Sequence, residues 1–277
     1  MLENKEIMNL ARRRLSGNWL TPIFASILFI VGYIFLMAIV YIPINSLFGE
    51  NTSYIIDIVL EIFLIAPTYI GFAYLFYKIV TSDNANIADA FKPVGFIFKK
   101  DKRKTYWRNL RALLLLGVCS VVIYGICFIP MFFSLIGSQD QVNNLNGFFY
   151  VTFAISMILV SIAMILFVPT YNAFLYKLAT DESINAIPCL KQSYKVTVGN
   201  RYQYWCLNFR FIGWALLCCV TFGIALLWVV PFIYTSYTIF CKELFDKYNA
   251  TTTGNTYVSA EDTLKEESQK EETLPEE

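Results

Sequence analysis

The chain has 277 residues, of which 57% are apolar or aromatic and only 16% are charged. Ordinary soluble domains carry about 25% charged residues, and a soluble fold of this size could not bury so much apolar surface, so the composition predicts an integral membrane protein. It excludes disorder for the bulk of the chain and a secreted disulfide scaffold. The chain contains no histidine, which removes the usual general base and the commonest metal ligand.

Apolar runs predict six membrane helices, most of which have the roughly 20 residues needed to cross a bilayer. They lie near residues 20–43, 54–78, 110–135, 148–176, 204–221 and 225–244. The last two form one apolar stretch of 32 residues, 209–240, which is too long for one span because a helix rises about 1.5 Å per residue. Gly223 predicts a turn between them.

The distribution of basic residues predicts the orientation. All 22 Lys and Arg residues lie before the first span, at or after the end of the last, between or at the ends of spans two and three, or flanking spans four and five. The opposite loops, 45–53, 136–147 and 222–224, contain none. Positive charge remains on the cytoplasmic side, so both termini should be cytoplasmic in a cell inner membrane. The first span, from Leu20 to Ile44, is too long for the apolar region of a signal peptide.

The C-terminal 29 residues differ from the rest. Residues 249–277 carry eight acids and two lysines, a net charge of −6. With few apolar groups such a segment cannot form a core. The sequence therefore predicts a membrane domain over 1–248 and a disordered acidic cytoplasmic tail over 249–277.

The even-numbered spans share a proline-bearing pattern: Pro67-Thr68-Tyr69, Pro169-Thr170-Tyr171, and Pro231 with Tyr234. An amphipathic stretch precedes each odd-numbered span, with apolar residues at helical spacing. These residues are Ile7, Leu10, Ala11 and Leu15; Ile87, Phe91, Val94 and Phe98; and Ile184, Ile187, Tyr194 and Val198. The predicted fold is an all-α polytopic membrane bundle of six transmembrane helices in three hairpins, with cytoplasmic amphipathic helices.

Several short motifs mark the first and fifth spans. Gly17-Asn18-Trp19 precedes the first, while Gly199-Asn200 and then Phe211-Ile212-Gly213-Trp214 mark the fifth. With these motifs the chain resembles a bacterial multi-pass membrane family catalogued as domain of unknown function nine-seven-five. The resemblance covers most of residues 5–246. It implies a multi-pass membrane fold and carries no activity, cofactor or site residue with it.

Two carboxylates form a candidate intramembrane polar site. Asp57 and Glu61 are four residues apart in the second predicted span, so they share one helix face. An ionised carboxylate is unfavourable inside a membrane. The pair is therefore interpreted either as a cation or proton site, or as a shallow polar pair near the outer surface.

Two basic clusters are candidate contacts for anionic lipid head groups. They are Arg12, Arg13 and Arg14, and Lys99, Lys100, Lys102, Arg103 and Lys104. Each basic residue near such a surface contributes roughly 1 kcal/mol of attraction. The same charges also fix topology, and nucleic-acid binding is not expected, since no binding fold accompanies them.

No nucleotide-binding glycine loop, nucleophile elbow or metal-ligand cluster is recognisable, so we expect neither catalysis nor a cofactor. The leading functional interpretation is a non-enzymatic membrane protein that acts through lipid or protein contacts at its cytoplasmic face. The alternative is a small-solute or ion transporter using Asp57 and Glu61. A central cavity reaching both carboxylates would favour the transporter.

Overall fold

The computed structural model describes residues 2–48, 58–81, 84–137 and 145–253, and every regular element in these ranges is helical. Two π-helical segments, Met37–Tyr41 and Glu61–Ile65, lie within the apolar helices. The α-helices are α1 (Asn4–Leu15), α2 (Leu20–Leu36), α3 (Ile42–Phe48), α4 (Ala66–Thr81), α5 (Ile87–Gly95), α6 (Arg103–Gly137), α7 (Leu145–Thr180), α8 (Ala186–Val198), α9 (Arg201–Arg210), α10 (Ile212–Val220) and α11 (Leu226–Thr253).

Four helices in the described ranges are long and apolar enough to cross a membrane. They are Leu20–Val40, Ile58–Thr81, Arg103–Phe133 and Tyr150–Thr180, and they overlap the first four predicted spans. Only 6% of the most apolar window of the first is buried, and no more than 33% of any of the others. Exposed apolar surface on this scale is unfavourable in water, so it indicates a membrane location.

The fifth and sixth predicted spans differ from these four helices. The fifth is divided at Phe211 into α9 and α10. The sixth lies in α11, whose central residues 234–238 are tyrosine, threonine and serine. Between α10 and α11, Phe222 and Gly223 have positive φ angles of 49° and 87°. The predicted turn at Gly223 is therefore confirmed, because this left-handed conformation favours glycine.

Each amphipathic helix packs against a proline-bearing helix. α5 packs on α4, which carries Pro67, and α8 packs on α7, which carries Pro169. α1 packs on α11, which carries Pro231, so the beginning of the described chain closes onto its end. α4, α7 and α11, which carry the repeated prolines, also contact one another, and together with α1 and α9 they build the largest apolar core.

The apolar face predicted for α1 packs inside the protein. Ile7, Ala11 and Leu15 are fully buried and Leu10 nearly so, which places them in the core that includes α11. α1 therefore uses its apolar face for protein packing and not for lying on lipid.

The contact between α4 and α5 depends on a glycine. A Cβ atom built on Gly71 would lie 1.7 Å from the carbonyl oxygen of Ala90. No side chain fits there unless the helices separate. At the end of the same contact, Lys78 forms a 3.0 Å ion pair with Asp89. Phe98, predicted to share the apolar face of this amphipathic helix, lies beyond its end and is 85% exposed.

The apolar residues predicted to mark α8 face away from α7. Ile187, Tyr194 and Val198 are exposed, while α8 buries smaller residues against α7, including Cys189 and Thr197. The Thr197 hydroxyl lies 3.1 Å from that of Thr170. Small residues allow close helix approach, so the larger residues of α8 face outward.

Prolines in α4 and α7 leave backbone carbonyls without helical donors, because proline lacks an N–H and displaces the carbonyl four residues earlier. The carbonyl freed by Pro67 belongs to Phe63, and it accepts a 2.6 Å hydrogen bond from the Tyr106 hydroxyl. The carbonyl freed by Pro169 belongs to Ile165, and it accepts a 3.0 Å bond from the indole N–H of Trp205. In both cases an aromatic residue near the start of a later helix satisfies the freed acceptor.

The predicted boundary between membrane domain and tail falls inside a helix, since α11 continues to Thr253. The remainder of the predicted acidic tail, 254–277, lies outside the described residues, as does Asp57.

Candidate functional site

A cavity of about 300 Å³ lies where α2, α4, α7 and α11 meet. Five tyrosines line it, together with three phenylalanines from α2 and α4. The tyrosines are Tyr69 of α4, Tyr171 and Tyr176 of α7, and Tyr234 and Tyr237 of α11. Each of the five lies two to seven residues after the repeated proline of its own helix, so the repeated proline pattern brings them to one cavity.

Four of these tyrosines have hydroxyl groups without a hydrogen-bond partner among the described residues: Tyr69, Tyr171, Tyr176 and Tyr234. The rings of Tyr234 and Phe76 stack at 5.5 Å, which joins α11 to α4 at the cavity wall. The cavity therefore combines apolar rings with hydroxyls that can both donate and accept.

Tyr237 and Asn172 connect the cavity wall to α9. The side-chain amide of Asn172 donates a 2.7 Å hydrogen bond to the Tyr204 hydroxyl, and the Tyr237 hydroxyl donates to the Asn208 side-chain oxygen. The rings of Tyr204 and Tyr237 stack at 5.3 Å. This network fixes α7, α9 and α11 relative to one another, as expected of polar side chains that join membrane helices.

The predicted carboxylate site does not coincide with the cavity. No charged side chain lines the cavity in the described part of the chain. Glu61 is exposed in the π-helical segment near the start of the Ile58–Thr81 helix, whereas its predicted partner, Asp57, lies outside the described residues. The structure thus gives no geometry for the pair.

The two basic clusters are largely exposed. Arg12, Arg13, Lys99, Lys100, Arg103 and Lys104 are exposed, while Arg14 and Lys102 are partly buried. Lys102 forms an ion pair with Glu182 and lies 5.8 Å from the centre of the Phe96 ring. Phe98, next to Lys99, is 85% exposed. The second cluster therefore presents an aromatic ring beside two lysines.

The two acidic residues just after α7, Asp181 and Glu182, form ion pairs with lysines. Burial raises the pKa of Asp181, but hydrogen bonds from Ser183 and the neighbouring Lys177 outweigh it and hold the pKa at about 2. Asp181 is thus ionised at neutral pH and pairs with Lys177 at 3.3 Å. Nearby, burial raises the pKa of the Cys189 thiol to about 12, so this cysteine remains protonated.

Sequence reasoning did not predict the cavity. Its signal in the sequence is the repeated proline followed by tyrosine, a pattern that by itself indicates only internal repetition. Aromatic residues in membrane helices are usually assigned to packing or to the interface. Only the mutual packing of α4, α7 and α11 shows that the repeated tyrosines converge.

The architecture is that of a helical membrane protein with a tyrosine-lined cavity, in which several apolar helices face outward. The chain belongs to the family described as "Protein of unknown function (DUF975)", whose profile matches residues 1–247. The match ends close to the predicted start of the acidic tail. No curated protein and no solved structure matches the chain.

Proposed function

We propose that the protein is a non-enzymatic, multi-pass protein of a bacterial inner membrane that acts through contacts with anionic lipids at its cytoplasmic face. In this proposal six spans form three hairpins and both termini are cytoplasmic. A protein partner at the same face is the other contact that the exposed basic clusters allow.

The last two spans of the proposal are α9 with α10, and α11. Residues 201–220 form an almost continuous helix interrupted only at Phe211. The polar centre of α11 is buried, with Thr235 and Ser236 fully inaccessible. Their hydroxyls bond to carbonyls four residues earlier. Polar residues satisfied in this way are compatible with a helix that crosses a membrane inside a bundle.

The observation that carries the lipid proposal is the exposed Phe98 beside Lys99 and Lys100. A ring that inserts among lipid chains, next to ammonium groups that bind head-group phosphates, is typical of an interfacial contact. The exposed Tyr194 and Val198 of α8, with Lys191 and Lys195 also exposed, offer a second surface of the same kind.

The test replaces Lys99 and Lys100 by glutamine and compares anionic-lipid binding of the purified protein in phosphatidylcholine nanodiscs that contain phosphatidylglycerol. With roughly 1 kcal/mol per basic residue, the double variant should bind the anionic lipid about thirtyfold more weakly. The matched control is Lys5→Gln with Lys247→Gln, two exposed lysines outside the clusters. Equal losses in both double variants would contradict a specific contact at the Lys99 cluster.

The transporter alternative keeps one supporting observation, the π-helical segment that begins at Glu61, because such segments are frequent at functional sites. Its test is Asp57→Asn with Glu61→Gln in a reconstituted flux assay. Loss of cation- or proton-coupled flux, with folding preserved, would favour transport over the lipid-contact proposal. Unchanged behaviour of the variant would favour a shallow polar pair.

A further inference from the structure

We propose that the tyrosine-lined cavity binds a primary ammonium group carried on an apolar chain or ring. This site is separate from the basic clusters of the proposed function, and either proposal can fail without the other. The cavity lies between α2, α4, α7 and α11, and its volume of about 300 Å³ is at the lower end of the range for small-molecule sites.

The lining excludes other classes of ligand by its charge. An anion would find no positively charged partner, because no lysine or arginine lines the cavity in the described ranges. An inorganic divalent cation would require carboxylates or a comparable set of oxygen ligands, and the lining residues include no acid. The ligand must therefore be neutral or an organic cation.

The tyrosine hydroxyls without a partner favour an organic cation over a neutral ligand. Tyr69, Tyr171, Tyr176 and Tyr234 each bring a hydroxyl oxygen without a partner among the described residues. A primary ammonium carries three N–H donors, and a tyrosine hydroxyl oxygen of the lining can accept each of them. A neutral apolar molecule would leave these hydroxyls without a hydrogen bond, which is unfavourable, and a neutral molecule with its own hydroxyl lacks the positive charge that aromatic rings attract.

The aromatic rings supply the second attraction. Phe72 and Phe76 of α4 line the same cavity as the tyrosines. Aromatic rings attract cations within about 6 Å of their centres, and the attraction increases when the site is desolvated. The apolar part of the ligand would pack against Phe29 and Val230, which also belong to the lining.

The experiment measures binding to the purified full-length protein in phosphatidylcholine nanodiscs, by calorimetry and by thermal stabilisation. The probes are phenethylammonium, the neutral phenethyl alcohol and the anion phenylacetate. Phenethylammonium should bind at least tenfold more tightly than the alcohol, and phenylacetate should not stabilise the protein. Equal binding of the ammonium and the alcohol, or no binding of the ammonium, would overturn the proposal.

Two variants locate the site. Tyr69→Phe and Tyr234→Phe keep the rings and remove hydroxyls that have no partner, so folding should be preserved. Each should weaken phenethylammonium binding about tenfold, which corresponds to 1.4 kcal/mol. Tyr194→Phe, at an exposed tyrosine outside the cavity, is the matched control and should bind as the natural protein does. Equal affinity in all three variants would show that the ammonium binds elsewhere.

A second titration tests whether the bound ammonium group belongs to a free amine or to a lipid head group. The same titration is repeated in nanodiscs that contain phosphatidylethanolamine, whose head group carries a primary ammonium. Competition would assign the site to the lipid, while an unchanged affinity would assign it to a free amine.

Discussion

At the scale of single residues, the carbonyls released by proline explain why aromatic donors stand near the starts of α6 and α9. The Tyr106 hydroxyl satisfies the Phe63 carbonyl, and the Trp205 indole satisfies that of Ile165. Away from water, an unsatisfied carbonyl is unfavourable by several kcal/mol. Pro67 and Pro169 are therefore each stabilised together with the aromatic residue that donates a hydrogen bond to the freed carbonyl.

This pairing predicts a specific coupling between Pro67 and Tyr106. Tyr106→Phe should lower the free energy of unfolding by about 1–3 kcal/mol, because it leaves the Phe63 carbonyl without a partner. In a Pro67→Ala background the restored backbone N–H can serve that carbonyl, so the same change should have a smaller effect. Denaturant unfolding in detergent of the four proteins of this double-mutant cycle is the measurement. Additive effects would contradict the pairing.

The close approach of α4 and α5 makes a second residue-scale prediction. Gly71→Ala places a methyl group 1.7 Å from the Ala90 carbonyl oxygen, so the helices must separate, and the protein should lose about 1–3 kcal/mol of stability or more.

Gly125→Ala in α6 is the control for Gly71→Ala, since a Cβ there meets no atom within 4 Å. In a helix interior alanine is favoured over glycine by up to about 1 kcal/mol. The control should therefore be neutral or stabilising when thermal unfolding is followed in the same detergent. Similar destabilisation at both positions would contradict the tight contact.

At the scale of elements, the amphipathic helices show which packed faces a sequence pattern can predict and which it cannot. The face of α1 was predictable because its large apolar residues and its charges lie on opposite sides, and Ile7 and Leu15 are indeed buried. The face of α8 that packs on α7 was not predictable, because beside a membrane large apolar residues such as Ile187 can face outward. The buried face is then chosen by small residues such as Cys189 that permit close packing.

The packing of α1 can be tested with a pair of leucines. Leu15 is fully buried in the core that includes α11, whereas Leu20 of α2 is 67% exposed. Leu15→Ala should lower the free energy of unfolding by about 2–5 kcal/mol, and Leu20→Ala by no more than about 0.5 kcal/mol. Equal, small effects in detergent would indicate that α1 is not part of the core.

At the scale of the whole molecule, the packing of α5 on α4, α8 on α7 and α1 on α11 makes a closed arrangement of three related units. The repetition was predictable from the prolines of the even-numbered spans and the amphipathic stretches before the odd-numbered ones. The sequence could not predict the closure, because the contact of α1 with α11 joins opposite ends of the chain. The cavity results from the same helix contacts. Tyr69, Tyr171 and Tyr234 come together only when all three units are packed.

The central claim is that the chain crosses the membrane six times and keeps its basic residues in the cytoplasm. The most direct test introduces single cysteines into a protein lacking the seven native ones and labels intact cells with an impermeant thiol reagent. Phe222→Cys is decisive, because Phe222 is 98% exposed at the turn between α10 and α11. Asn144→Cys and Lys100→Cys serve as the outer and inner references.

We expect labelling at residues 222 and 144 and protection at residue 100 until the membrane is permeabilised. Protection of residue 222 with labelling of residue 144 would show that α9, α10 and α11 do not cross, which leaves four spans. Labelling of residue 100 in intact cells, with residues 144 and 222 protected, would reverse the orientation and contradict the cytoplasmic placement of the basic clusters.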